Sequence, residues 1–282
     1  MRWLLDPFST ASGVRALVAG LLAVVASSAA GTWMVVRRLG FLADALAHGV
    51  IPGIALAMLW GTNLVAGAFV SAAVMVLGIG VVSRRSHLGE DSAIGLLFVG
   101  MLALGVLVAT SEESHEHGLE ELLFGDIGAI TWSDVLVQGV IAVLVLAATA
   151  LGYRALLALS FNEAKAASLG LRPGLAHLVL LAVVAMAIVS SYQAVGTLLV
   201  FGLLVGPPAT ASLLVRRVWA CMVVAAGIGA VAVVSGLVIS FHADTDPGAT
   251  MSGIAVLIFF VVLAAQELVR LNRRPDPATL PA

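Results

Sequence analysis

Asp44 and His48 stand four residues apart in Phe41-Leu42-Ala43-Asp44-Ala45-Leu46-Ala47-His48-Gly49-Val50-Ile51-Pro52-Gly53. A carboxylate oxygen and an imidazole nitrogen on successive turns of one helix share a face and can reach the same cation. That donor pair suits Zn2+, Mn2+ and Fe2+ comparably. The surrounding sequence is almost wholly apolar, and a charged side chain at the centre of a membrane helix costs about 2.5–3.5 kcal/mol to insert, so such residues mark pathways. Two ligands make an incomplete site, which suits a conduit because a transported ion must also leave. Two local readings stay open beside this one: Asp44 could cap its helix close to Arg37-Arg38, and His48 could bond a neighbouring backbone group.

The elements that position this pair are membrane spans. Hydrophobic residues make up 61% of the 282, charged residues 11%, and mean hydropathy is +1.11, far outside the range of soluble domains. Apolar runs long enough to cross a bilayer recur at Val14 to Val36, Phe41 to Trp60, Leu64 to Val82, Ala93 to Thr110, Val135 to Leu159, Leu175 to Ser190, Val195 to Val215, Val218 to Ser240 and Met251 to Leu268. The fold class is therefore an all-α polytopic membrane protein of about nine transmembrane helices, or eight if one is re-entrant. The second and seventh runs contain Pro52-Gly53 and Pro207-Pro208 and are read as helix breaks with a gating role, since irregular backbone at membrane depth lines a cavity. Arg15 and the apolar run to Ala26, followed by Ser27-Ser28-Ala29-Ala30, imitate a signal peptide, but the run continues through Trp33 to Val36 and is long enough to span.

Arginines set the orientation. Arg37-Arg38, Arg84-Arg85, Arg154 with Lys165 and Arg172, Arg216-Arg217, and Arg270 with Arg273-Arg274 terminate alternate connections, which places those connections in the cytoplasm and the N-terminus outside. No soluble domain, repeat or low-complexity block interrupts residues 1–282, which form a single membrane domain. A formal net charge of -2 without a Lys/Arg run excludes a nucleic-acid partner and leaves membrane lipid as the surroundings. The lone Cys221 excludes an internal disulfide and a thiolate metal cage.

The stretch from Arg37 to Ala57 resembles the signature of the permease subunits of bacterial ABC-type importers for divalent metals. Ala43 and Ala47 replace that family's usual Gly and Ser, while Asp44, His48, Pro52 and Gly53 are kept. Glu90-Asp91-Ser92-Ala93-Ile94-Gly95, Leu123-Phe124-Gly125-Asp126-Ile127, Val195 to Val200, Gly206 to Ala211 and Asp246-Pro247-Gly248-Ala249 extend the resemblance along most of the chain, in the family's order. The resemblance implies a type II importer-like permease in the bacterial inner membrane. It implies a second permease copy, two ATPase subunits that hold the ATP, an extracytoplasmic metal-binding protein, and a transported divalent cation, Zn2+ or Mn2+, rather than a permanently bound cofactor. Phe161 to Arg172 resembles the family's cytoplasmic coupling helix, which implies ATPase contact through Phe161, Asn162, Glu163, Ala164, Lys165 and Gly170.

Other potential ligands are weaker. The loop from Ser111 to Glu121 packs His115, His117 and five glutamates into eleven residues, and Phe241 to Gly248 carries His242 and Asp244. A solvated acidic loop explains the first and turn chemistry the second. Neither a phosphate-binding Gly-x-x-x-x-Gly-Lys-Ser/Thr loop nor a His-Glu-x-x-His helix occurs, so the chain carries no ATPase or metalloprotease signature of its own. Two rivals remain: a permease for a metal chelate such as a siderophore or cobalamin, and an ion-coupled carrier working without an ATPase.

Overall fold

The computed structural model describes residues 6–86, 89–109, 127–161, 170–196 and 200–272. A 3-10 turn, Asp6–Ser9, leads into ten helices: α1 Ala11–Arg37, α2 Gly40–Gly49, α3 Ile51–Leu59, α4 Leu64–Arg85, α5 Glu90–Ala109, α6 Trp132–Phe161, α7 Pro173–Val195, α8 Val200–Leu214, α9 Val218–Ala243 and α10 Pro247–Asn272. No strand occurs among the described residues. Among the described residues eight spans are long and apolar enough to cross a bilayer, with α2 and α3 counted as one; α8, at 15 residues, is shorter.

Local chemistry sets the ends. Thr10 Oγ1 accepts from the Gly13 amide at 3.1 Å to open α1, and Asn63 Oδ1 accepts from Ala66 at 3.0 Å to open α4. Asp246 accepts from the Ala249 amide at 2.6 Å with Pro247 in the first turn of α10, so Asp-Pro-Gly is a helix start. Arg38, at φ 59°, closes α1: its own amide and that of Leu39 return to the carbonyls of Val35 and Met34.

The centre of the bundle is α1, which packs against α6, α7, α8 and α9. Its small residues make that possible. Gly20 receives Val233 of α9, and Gly31 lies against the Leu204 carbonyl of α8. Trp33 is fully buried, with its ring edge-on to Tyr153 of α6 at 5.4 Å. Large apolar side chains of α4, α5, α6, α9 and α10, such as Val70, Leu107, Leu151, Val223 and Phe260, are exposed and face the lipid.

The second span breaks where the proline requires it. Pro52 has no N–H for the His48 carbonyl, the amide of Val50 turns back to that carbonyl, and the helix restarts at Ile51. The Gly49 carbonyl next to the joint accepts from Ser71 Oγ of α4 at 2.7 Å. Below it Gly53 and Gly67 press α3 and α4 together so closely that a Cβ on either would overlap the other's carbonyl. The seventh run behaves otherwise: α8 runs through Pro207-Pro208 without a break. The carbonyl that Pro208 deprives of its donor, Leu204, is packed against Gly31 instead, so the neighbouring helix accommodates the two prolines and the helix continues.

Contacts between helix ends follow the alternation set by the arginines. Arg37 meets His177 at the start of α7, Thr32 Oγ1 lies 4.0 Å from Cys221 near the start of α9, and Gln266 donates to the Leu213 carbonyl at the end of α8 at 2.6 Å. At the opposite end Pro7, Phe8, Ile127, Phe241 and Pro247 line one cavity.

Two substitutions test the joint. Ser71→Ala should lower stability by about 1 kcal/mol through the lost hydrogen bond to Gly49, and Gly67→Val should lower it by roughly 1–3 kcal/mol or more through overpacking. Thermal unfolding of the detergent-solubilised protein measures both, and unchanged midpoints would refute the close approach of α3 and α4.

Candidate metal site

Asp44 is the fifth residue of α2, one turn inside the helix, and the N-cap position is held by Leu39 without a side-chain bond. The capping reading of Asp44 therefore fails. At about 1.5 Å rise per residue, Asp44 lies about 6 Å and His48 about 12 Å along the axis from Gly40, so His48 sits near the middle of the second span, just before the joint. His48 Nδ1 is 3.0 Å from the Asp44 backbone carbonyl and 3.6 Å from Asp44 Oδ1.

The first of these distances decides the tautomer. A carbonyl only accepts, so Nδ1 carries a proton and donates; in the neutral ring Nε2 then keeps its lone pair for a cation. The backbone bond of His48 is thus real, and it prepares the ring as a ligand: metal-bound imidazoles typically donate their second N–H to a carbonyl or carboxylate. The Asp44 side chain is 42% exposed and that of His48 17%, so both remain reachable while the ring is held. Phe98 of α5 stands perpendicular to the imidazole at 5.5 Å and is itself edge-on to Phe41 at 6.1 Å. An aromatic wall thereby limits the rotation of His48.

Pro52 and Gly53 lie directly beyond the pair, in the first turn of α3, whereas Pro207 and Pro208 are buried in α8. Of the weaker candidates at the other end of the bundle, His242 is in the last turn of α9 with Nδ1 2.8 Å from the Val238 carbonyl, the same contact that His48 makes with Asp44, and Asp244 ends that helix at φ 52°. Phe161 closes α6 with its side chain exposed, and Gly170 takes φ 73° shortly before Pro173. His115, His117, Asp126, Asn162, Glu163, Ala164 and Lys165 lie outside the described residues. Among the described residues no group of three or more His, Cys, Asp or Glu gathers into a metal cage. Asp44 and His48 remain a pair. Reading the sequence alone missed Phe98 and Ser71, which support the pair from other helices. Nothing local marks either residue, because Phe98 is one apolar residue in an apolar helix and Ser71 one small residue among many.

The sequence profile of the ABC 3 transport family matches residues 11–266. The chain belongs to this family. It is 33% identical over 247 residues to the manganese transport system membrane protein MntC of Listeria monocytogenes, covering 88% of each chain. It is also 33% identical over 275 residues to the chelated iron transport system membrane protein YfeD of Yersinia pestis, covering 97% of this chain and 92% of the other. The solved structure of PsaBC from Streptococcus pneumoniae in complex with Fab superposes with a TM-score of 0.85 at 26% identity, covering 96% of this chain and 99% of that one. Together with the helices, this makes the chain a multi-pass permease of the bacterial inner membrane.

If Phe98 holds the imidazole, Phe98→Ala should speed modification of His48 by diethyl pyrocarbonate severalfold and lower the unfolding midpoint, the lost edge contact alone being worth about 0.5–1.5 kcal/mol. An unchanged rate would remove Phe98 from the site.

Proposed function

We propose that this chain carries a divalent metal ion into the cytoplasm as the permease of an ATP-driven importer, with Asp44 and His48 as its transient ligands. The observation that carries the reading is the Nδ1–H bond from His48 to the Asp44 carbonyl, which leaves Nε2 open beside a carboxylate on a broken, mid-membrane helix. Two ligands hold an ion weakly, and a second copy of the chain related by a two-fold axis would bring an identical pair. Four such groups with water suit Mn2+ or Zn2+, and the names of the relatives, which refer to manganese and iron, favour a first-row cation.

The remaining parts of the reading follow from the family. Residues 1–282 work as one membrane unit without ATP hydrolysis of their own. Two ATPase subunits dock on the 161–172 segment, a binding protein delivers the cation at the end bearing Phe8 and Phe241, and ATP-driven rocking exposes the pair to each side in turn.

Asp44→Asn and His48→Ala, made separately in the assembled complex, should each reduce uptake of radioactive Mn2+ or Zn2+ at least about tenfold, the cost expected for losing one of few ligands. Normal uptake with either variant would overturn the assignment. A relative named for chelated iron supports a second reading, in which the cargo is a metal chelate. Uptake of the chelate undiminished in both variants, with free metal not transported, would favour it.

A further inference from the structure

Arg37 Nη1 lies 3.3 Å from His177 Nδ1, and both side chains are half-buried. A guanidinium has donors only, so Nδ1 of His177 must be the acceptor, unprotonated at that nitrogen. The bond joins two positions far apart in sequence but each next to a part with a task. Arg37 ends α1, and the turn that follows is tied back by the Arg38 and Leu39 amides before α2 begins at Gly40. His177 lies in the second turn of α7, whose start is fastened by the Leu175 and Ala176 amides to the Arg172 carbonyl, the last residue of the 161–172 segment.

We infer that the Arg37–His177 hydrogen bond is a positioning contact that carries displacement of the start of α7, from Arg172 onward, into the α1–α2 turn and so ties passage of the cation at Asp44/His48 to ATP hydrolysis. This rests on the function proposed above and adds to it the route of coupling. The mechanical case is short. Both ends of the bond are held by backbone hydrogen bonds within one turn, so a shift of the start of α7 reaches the α1–α2 turn through two half-buried side chains anchored on ordered helix ends. A charge-assisted bond is also stronger than a neutral one and tolerates pulling better. Arg37 and His177 have further contacts, so a single substitution does not isolate this bond.

The test uses the complete transporter with its ATPase partners in proteoliposomes and reads metal ions moved per ATP hydrolysed. His177→Ala and Arg37→Ala should each lower that ratio by about threefold to thirtyfold, the span of coupling energies seen for residues that link sites. The double variant should be no worse than the poorer single one, as expected for two residues acting through one bond. His177→Asn, whose Oδ1 replaces Nδ1 as acceptor, should recover most of the ratio. A merely structural role would lower the yield of assembled complex and leave the ratio of the assembled fraction unchanged, which would overturn the inference. Multiplicative losses in the double variant, or an Asn variant as poor as Ala, would do the same. If the wild-type complex hydrolyses ATP but moves no metal, the functional reading itself fails, and this inference with it.

Discussion

A backbone carbonyl freed inside an apolar bundle has no water to turn to, and this chain frees carbonyls in two places by putting proline at membrane depth. The two solutions differ and shape the rest of the fold. At Pro52 the helix is allowed to break, and a serine from α4 supplies the missing partner to Gly49. At Pro207-Pro208 the helix stays whole, and the deprived Leu204 carbonyl is covered by the glycine face of α1. Gly31 of α1 is therefore tied to the prolines of α8, whereas Gly20 and the Gly53–Gly67 contact serve close packing.

From this follows the position of the Asp44/His48 pair. The break at Val50 ends α2 just after His48, so the imidazole stands in a final helical turn where backbone groups are not all committed to the helix. Phe98 restrains the ring from α5, and the Asp44 carbonyl fixes its tautomer from within α2. The site is thus built mainly from one short helix and supported by two neighbours. Among the described residues no third His, Cys, Asp or Glu joins the pair, which suits the proposed transient binding of a cargo that has to be released.

Much of this was legible in the sequence. The apolar runs located the spans to within a few residues, Asp44 and His48 stood out by cost alone, and Asp246-Pro247-Gly248 was recognisable as a turn, although not as the start of α10. What could not be read was which face of each span is inside. Lipid and protein interior are equally apolar, so a membrane helix lacks the polar stripe that reveals orientation in a soluble one. For the same reason Phe98 and Ser71 gave no signal, and neither did the contact of His177 with Arg37 of α1. Pro207-Pro208 misled in the opposite direction: a local rule predicts a break, and tertiary packing removes the need for one.

The joint at Val50 also sets two helix ends against each other. The last turn of α2 carries the negative end of one dipole beside His48, and α3 opens with the positive end of the next at Ile51, three residues further on. Each end carries an effective charge of about half an electron, so at the joint the two offset one another. The Asp44 carboxylate is left as the one full negative charge along Gly40–Leu59.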